Sequence, residues 1–458
     1  MMKKAKILLL ALCLLTGCNA VISEADLSED MDLDIKDQDY SYELNGSTYI
    51  QLGNEDVYIS EEGTYILEGT LNGSVIVEVS KDEKVHLVLN NVDIDAGDFA
   101  GIYIVEADEV IISLPEGSVN AISDSGTYTQ IDGNDVDALI FSKADLTIEG
   151  SGALHLSSAD NHGIVSKDDL IIDGGTYVID VAGKALCGKD CVKIADGSFD
   201  LTSLKDAISS DNEEDEERGY IYISDGDFTI QSGADGIYAY RLLQIDGGTF
   251  HIVTSKGGSA DSFKALKSDM EIILNGGTFT ISTIDDGIHS DGDILIAGGT
   301  YEIDSSDDGI HADGKVQIDN GTMNITAREG IEATYIQIND GTISISASDD
   351  GMNATKQSNS YASIIEINGG NITIVMGQGD TDGLDANGSI YINGGILDIT
   401  GQFPFDYDNI AEHNGGTIIV NGVETDEITN QFGGGFPGMP GGNTDGPPEG
   451  GNPFGGNH

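Results

Sequence analysis

The chain has 458 residues, enough for two or three ordinary domains, and its 20 Lys plus Arg face 80 Asp plus Glu for a formal charge of −60. A surface this acidic repels nucleic acid and anionic lipid headgroups, which excludes both as partners by charge, and it calls for cations. The 39% of hydrophobic residues, set in regular alternation, exclude a wholly disordered acidic chain.

In chain order, Lys3, Lys4 and Lys6 precede an apolar run, Ile7 to Leu15, that is too short to span a bilayer. It leads into Leu15-Thr16-Gly17-Cys18, which resembles a bacterial lipoprotein signal. By that resemblance residues 1–18 are the signal, Cys18 carries the lipid anchor, and the chain is extracellular and membrane-anchored at the cell surface. A plain signal peptide is the alternative. Residues 19–45 are expected to be a flexible tether, residues 46–430 a single domain, and the Gly- and Pro-rich residues 431–458 a disordered tail. Cys13 leaves with the signal, so the domain keeps Cys187 and Cys191. Two thiols allow a local disulfide but no framework and no zinc site, and their role stays open.

The domain begins with irregular strands at Gly63–Gly69, Val85–Asn90 and Val110–Leu114, as the end coils of a stack would. A repeat then takes over. Asp246-Gly247-Gly248-Thr249, Asn275-Gly276-Gly277-Thr278, Ala297-Gly298-Gly299-Thr300 and Asn320-Gly321-Thr322 mark one position of one coil, with Gly276 and Gly298 22 residues apart. Larger steps carry polar insertions. Each repeat reads as strand, Gly turn, strand, loop, with apolar residues at period two and no helical periodicity. A unit of about 22 residues cannot bury an apolar face alone, so the units stack, about 4.8 Å apart, into an all-β parallel β-helix. Right-handedness follows the general preference of parallel crossovers. Stacking sets Phe199, Phe228, Phe250, Phe279 and Tyr301 in a ladder that continues through Met323, Ile343 and Ile372. They share parity with aliphatic residues two places on, so the ladder is expected inside.

Used as a ruler, the repeat aligns a second column: His162, Lys184, Asp206, Asp235, Lys264, Asp286, Asp308, Glu329, Asp350 and Asp382. Its first half mixes signs, while its second half has five acids and no cation in the column. Two carboxylates about 5 Å apart repel by about 3 kcal/mol at an effective dielectric of about 20, so such a run binds metal or stays partly protonated. The surrounding Asp285, Asp286, Asp291, Asp307, Asp308, Asp313, Glu329, Glu332, Asp349, Asp350, Asp382 and Asp385 offer oxygen clusters beside Gly, the donor set of calcium. Solvated Asp-Gly turns are the plain alternative. His289 and His311 are too few among so many carboxylates to favour zinc. With Tyr238 and Tyr240 they are the candidate carbohydrate contacts.

The segments Gly63-Thr64-Tyr65-Ile66-Leu67-Glu68-Gly69, Leu87-Val88-Leu89-Asn90-Asn91-Val92-Asp93-Ile94 and Leu114-Pro115-Glu116-Gly117-Ser118-Val119-Asn120, with the repeated Asp-Asp-Gly-Ile-His, resemble the cell-surface β-helix carbohydrate-binding domain family. That family is related in fold to pectate-lyase-type polysaccharide lyases. The resemblance implies a right-handed parallel β-helix that binds calcium and polysaccharide, cellulose-like or acidic. The Glu-rich insertion Glu213–Glu217 departs from the pattern and leaves the surface near Asp206 open. The expected function is calcium-dependent polysaccharide binding by a monomeric lipoprotein. A lyase would need a base near the carboxylates, for which Lys315, Arg328 and Lys356 are the candidates, with a local counter-ion as the plain alternative for each. A calcium-assembled surface scaffold is the third reading.

Overall fold

The computed structural model describes residues 31–35, 46–255, 262–379 and 381–430. The Cys18 signal, most of the 19–45 tether and the 431–458 tail lie outside the described residues. Within them the chain is all-β, with 41 strands and no helix.

Each regular coil contributes three strands. One precedes the Gly turn, as in Glu271–Leu274 and Asp293–Ile296. One follows it, as in Thr278–Thr283 and Thr300–Ser305. The third is short, as in Leu266–Ser268 and Ile288–Ser290. Through the regular part, each strand pairs in parallel with its counterpart one repeat on, in the register the repeat predicts. Among the described residues, the antiparallel pair is Thr417–Val420 with Val423–Thr425, a hairpin that covers the open edge of the last post-turn strand.

Alternation decides which side chains go in. In Thr278–Thr283 and its neighbours every second residue is buried, which points Phe279 and Ile281 inward and leaves Thr278, Thr280 and Ser282 outside. The aromatic ladder is interior as expected and begins one coil earlier. Tyr177, Phe199, Phe228, Phe250, Phe279 and Tyr301 stack with centroids 4.6 to 4.9 Å apart and planes within 6°.

The second Gly of the turn is there because φ is +102° at Gly277, and a Cβ would lie 2.9 Å from the Phe279 ring. Beside the turn, Asn side chains ladder from coil to coil: Asn339 donates to Asp319 at 2.7 Å, Asn368 to Asn339 at 2.9 Å, and Asn393 to Asn368 at 2.8 Å.

Two coverings were not legible as elements. The loop between Val119–Ser123 and Ala138–Ser142 folds over the short-strand face, burying Tyr128 and Val136 against Phe99, Tyr103, Phe141 and Val165. Tyr103 pins it, donating to Asp132 at 2.5 Å and accepting from Asn134 at 2.6 Å. Residues 31–35, inside the stretch read as tether, lie on the pre-turn sheet. Met31 is buried against Cys191, Tyr220, Leu242 and Ile273, and the Tyr220 hydroxyl donates to the Asp32 carbonyl at 2.7 Å. Cys187 and Cys191 form no disulfide.

Candidate functional site

The corner that leads into each short strand carries the acidic column in the predicted register. The amide following one column residue donates to the carbonyl of the next: Gly287 to Asp308 at 2.9 Å, Gly309 to Glu329 at 2.9 Å, Gly330 to Asp350 at 2.9 Å, and Gly351 to Asp382 at 2.9 Å. These Gly residues are needed for space rather than for a left-handed turn. A Cβ on Gly309 would lie 2.3 Å from the Ile325 γ-methyl and 2.7 Å from the Gly330 carbonyl oxygen.

Several column side chains are partly used by the fold itself. Asp286 Oδ1 accepts the Asp308 N–H at 3.0 Å, Asp350 Oδ1 accepts the Asp382 N–H at 2.8 Å, and His162 Nδ1 accepts the Lys184 N–H at 2.8 Å. The second half of the column is also less bare than its own residues suggest. Lys264 reaches Asp285 at 3.0 Å and Asp286 at 3.4 Å. Arg328, one residue ahead of the column, spreads over Asp307 at 2.5 Å, Asp308 at 3.1 Å, Glu329 at 2.5 Å and Asp349 at 3.1 Å. Counting along the column finds the aligned residues but not a long side chain that reaches in from beside it.

A parallel column stands on the outer face of the short strands. In order it runs Tyr238, Lys267, His289, His311, Glu332, Asn353, Asp385 and Asp406. The two columns meet. His289 Nδ1 is 2.8 Å from Asp286 Oδ2, and His311 Nδ1 is 3.0 Å from both Asp308 Oδ2 and Glu332 Oε2. Burial works against charge on Asp286, yet hydrogen bonding from His289 and the Lys264 ammonium hold its carboxyl down at about 2. Burial likewise opposes charge on His311, and Asp308 and Glu332 overcome it, pushing the imidazole up to about 11.

Asp291 and Asp313 face the other ring nitrogens, at 2.9 Å from His289 Nε2 and 3.5 Å from His311 Nε2. The remaining acids gather further on. Burial, then Asp349 and Glu329, push Asp350 up to about 6, and burial, then Asp350 and Asp406, do the same to Asp385. Between them Asn353 donates to Glu329 at 3.0 Å, while its buried Oδ1 has no hydrogen-bond partner. An orphaned amide oxygen beside carboxyls that resist ionising offers the oxygen donors a hard cation takes, and Asp285, Asp286 and Asp307, earlier in the column, bring carboxylate oxygens within 4.8 Å of one another.

The other candidates are scattered. Tyr238 sits in the outer column with the Lys267 ammonium 4.9 Å over its ring and its hydroxyl donating to Asp269 at 2.9 Å. Tyr240 lies past the end of the Ile237–Ala239 strand with Arg241 5.5 Å over its ring. Arg328 is pinned by four carboxylates, of which Asp307, Glu329 and Asp308 raise its pKa, the opposite of what a base requires. Lys315 is a corner away on the pre-turn sheet, donating to Gln317 at 2.6 Å and Gln337 at 2.8 Å. Burial lowers its pKa. Lys356 is exposed on the loop after Met352–Ala354.

Reading from the repeat missed one acidic group, Asp145, Asp168 and Asp169, because it lies at another corner. The end of the Glu-rich insertion closes on it: Arg218 reaches Asp190 at 2.7 Å, Asp169 at 3.3 Å and Asp168 at 3.5 Å.

Comparison with known proteins gives this geometry a family. A solved structure described as the polysaccharide lyase-like protein from C. thermocellum, gadolinium derivative, aligns with a TM-score of 0.44 and 28% identity over 52% of this chain and 96% of that one. A carbohydrate-binding domain-containing protein of Acetivibrio thermocellus is 31% identical over 200 residues, which is 43% of this chain and 70% of the relative. The profile of the carbohydrate-binding domain-containing protein family matches residues 53–309 and 304–427. The chain belongs to that family.

Proposed function

We propose that the protein is an extracellular lipoprotein that binds polysaccharide through calcium held on the second half of its acidic column, and that its stacked coils wind as a right-handed parallel β-helix. The observation that carries the calcium is the unpartnered Oδ1 of Asn353 beside Asp350 and Asp385. A bound cation satisfies that oxygen, lets both carboxyls ionise, and turns a repulsive acidic surface into one that attracts uronate carboxylates and sugar hydroxyls. Family membership supports the carbohydrate partner. The Cys18 motif supports the lipid anchor, and the preference of parallel crossovers supports the hand.

Retention of the exported chain on polygalacturonate and on cellulose, with calcium and with a chelator, tests this reading. Chelation should release the protein, and Asn353→Ala or Asp385→Asn should raise the calcium required. Retention indifferent to chelation would remove calcium from the account. A second reading, a lyase, would take Lys315 as its base, whose pKa burial lowers but which stands a corner away from the acidic column. Absorbance of unsaturated uronate products tests it, and a flat trace beside an active control retires it.

A further inference from the structure

The two histidines do not suit an oxygen-only calcium site. Their nitrogens are borderline donors, which first-row transition cations take readily and calcium does not. We propose that His289 and His311, with Asp286, Asp308 and Glu332, hold one divalent transition cation such as Zn²⁺ or Co²⁺, separate from the calcium site around Asn353.

Three observations converge. Ligand atoms of Asp308, His311 and Glu332 lie within 4.8 Å of one another, as do those of Asp286, His289 and His311, and the two trios share His311. His311 Nδ1 is 3.0 Å from each of its two carboxylate partners. Adjacent ligands of a five-coordinate cation with bonds of about 2.1 Å stand about 3.0 Å apart, which is the spacing around His311 Nδ1.

The second observation is the carboxylate behind each ring. Asp291 and Asp313 face Nε2 of His289 and His311 at 2.9 and 3.5 Å. A metal-ligating imidazole is oriented in this way by a carboxylate that accepts its other N–H and fixes the tautomer with Nδ1 free to bind. Asp291 and Asp313 are therefore positioning residues rather than ligands.

The third is the stacking of the two rings, with centroids 4.7 Å apart and planes 12° from parallel. The stack sets the Nδ1 atoms of both rings against one line of carboxylates, Asp286, Asp308 and Glu332, so a single cation can answer both rings. This inference does not depend on the sugar reading.

The metal-free exported chain titrated with Co²⁺ under a large excess of Ca²⁺ should bind one equivalent, with visible bands from imidazole ligation that Zn²⁺ abolishes. His311→Gln should lose the bands and the site. Asp313→Asn, which keeps both rings, should keep the bands and weaken binding about 10- to 100-fold. Asn353→Ala should leave Co²⁺ binding intact while raising the calcium needed for polysaccharide retention, so failure of one site is distinguishable from failure of the other. The proposal is overturned if Ca²⁺ prevents Co²⁺ binding in the wild-type chain, or if a His311→Gln variant with unchanged circular dichroism binds Co²⁺ as the wild type does.

Discussion

The outer column of the short strands is one continuous ladder with two chemistries. Early in the stack it runs Tyr103, Phe141, Val165 and Cys187, apolar and roofed by the loop that follows Ser123. Later it runs Lys267, His289, His311, Glu332, Asn353, Asp385 and Asp406, and charged residues replace apolar ones at the same register. The backbone is alike in both. The comparison teaches that the coil supplies only a position facing outward: an apolar residue there requires a cover, and a charged residue there requires a counter-ion.

Removing a packed ring should break the roofed half most severely. Phe141→Ala opens a cavity under the loop and should cost about 3–5 kcal/mol, read as a lower denaturation midpoint that calcium does not restore. In the charged half, Arg328→Ala leaves the buried carboxylates of Asp308 and Glu329 without their guanidinium. Loss of a fully buried partner costs about 3–5 kcal/mol. Because the Arg328 side chain is 40% exposed, water screens part of that, and about 2 kcal/mol is expected. Added calcium should recover some of it, which would sharpen the contrast with Phe141→Ala.

Tyr103→Phe keeps the ring and removes the hydroxyl that ties down Asp132 and Asn134. It should cost about 1 kcal/mol and speed proteolytic nicking of the loop without changing Co²⁺ or calcium binding.

Acid should produce the smallest net change, because the two halves respond with opposite sign. Burial lowers His162 to about 4 from its ordinary 6.5, so the folded chain holds fewer protons than the unfolded one and loses stability as pH falls between those values. Asp350 and Asp385, raised from 3.8 to about 6 chiefly by burial, contribute stability that is full below 3.8 and lost as pH rises through 6. Melting of the metal-free wild type should therefore fall modestly from pH 4 to 6.5, because two raised aspartates outweigh one lowered histidine. Replacing both aspartates with Asn should leave a chain that melts lower in acid; an unchanged profile would show that these groups do not oppose His162.

Much of this was legible in the sequence because the repeat fixes register. Period two sent Phe279 and Tyr301 inward, and counting from the Gly turn aligned His162 with Lys184 and Asp286 with Asp308 across whole coils. Lateral reach was not legible. Arg328, off the column by one residue, was readable as a local counter-ion but not as the partner of four acids at once, and the pairing of Asp291 and Asp313 with the imidazole Nε2 atoms carried no signal in the spacing. Glycine was legible as a marker but not for its reason, since the Gly after Asp286 or Asp308 clears a path for the neighbouring coil's carbonyl oxygen and Ile methyl. The loop over Tyr103 and the segment at Met31 carry no periodicity, so nothing in their spacing says which face they cover.

That N-terminal segment has a mechanical consequence. Residues 31–35 meet the stack near Cys191, Tyr220, Leu242 and Ile273, partway along it rather than at an end. Tension arriving through the chain ahead of Met31 first loads a side attachment held by Met31, the Tyr220 hydroxyl bond to Asp32 and the 3.7 Å contact of Lys193 with Asp32. While that attachment holds, the pull is shared by several neighbouring coils instead of peeling the first strand from its ladder. The stack of strands is moored amidships, and its terminal strands are spared the direct load.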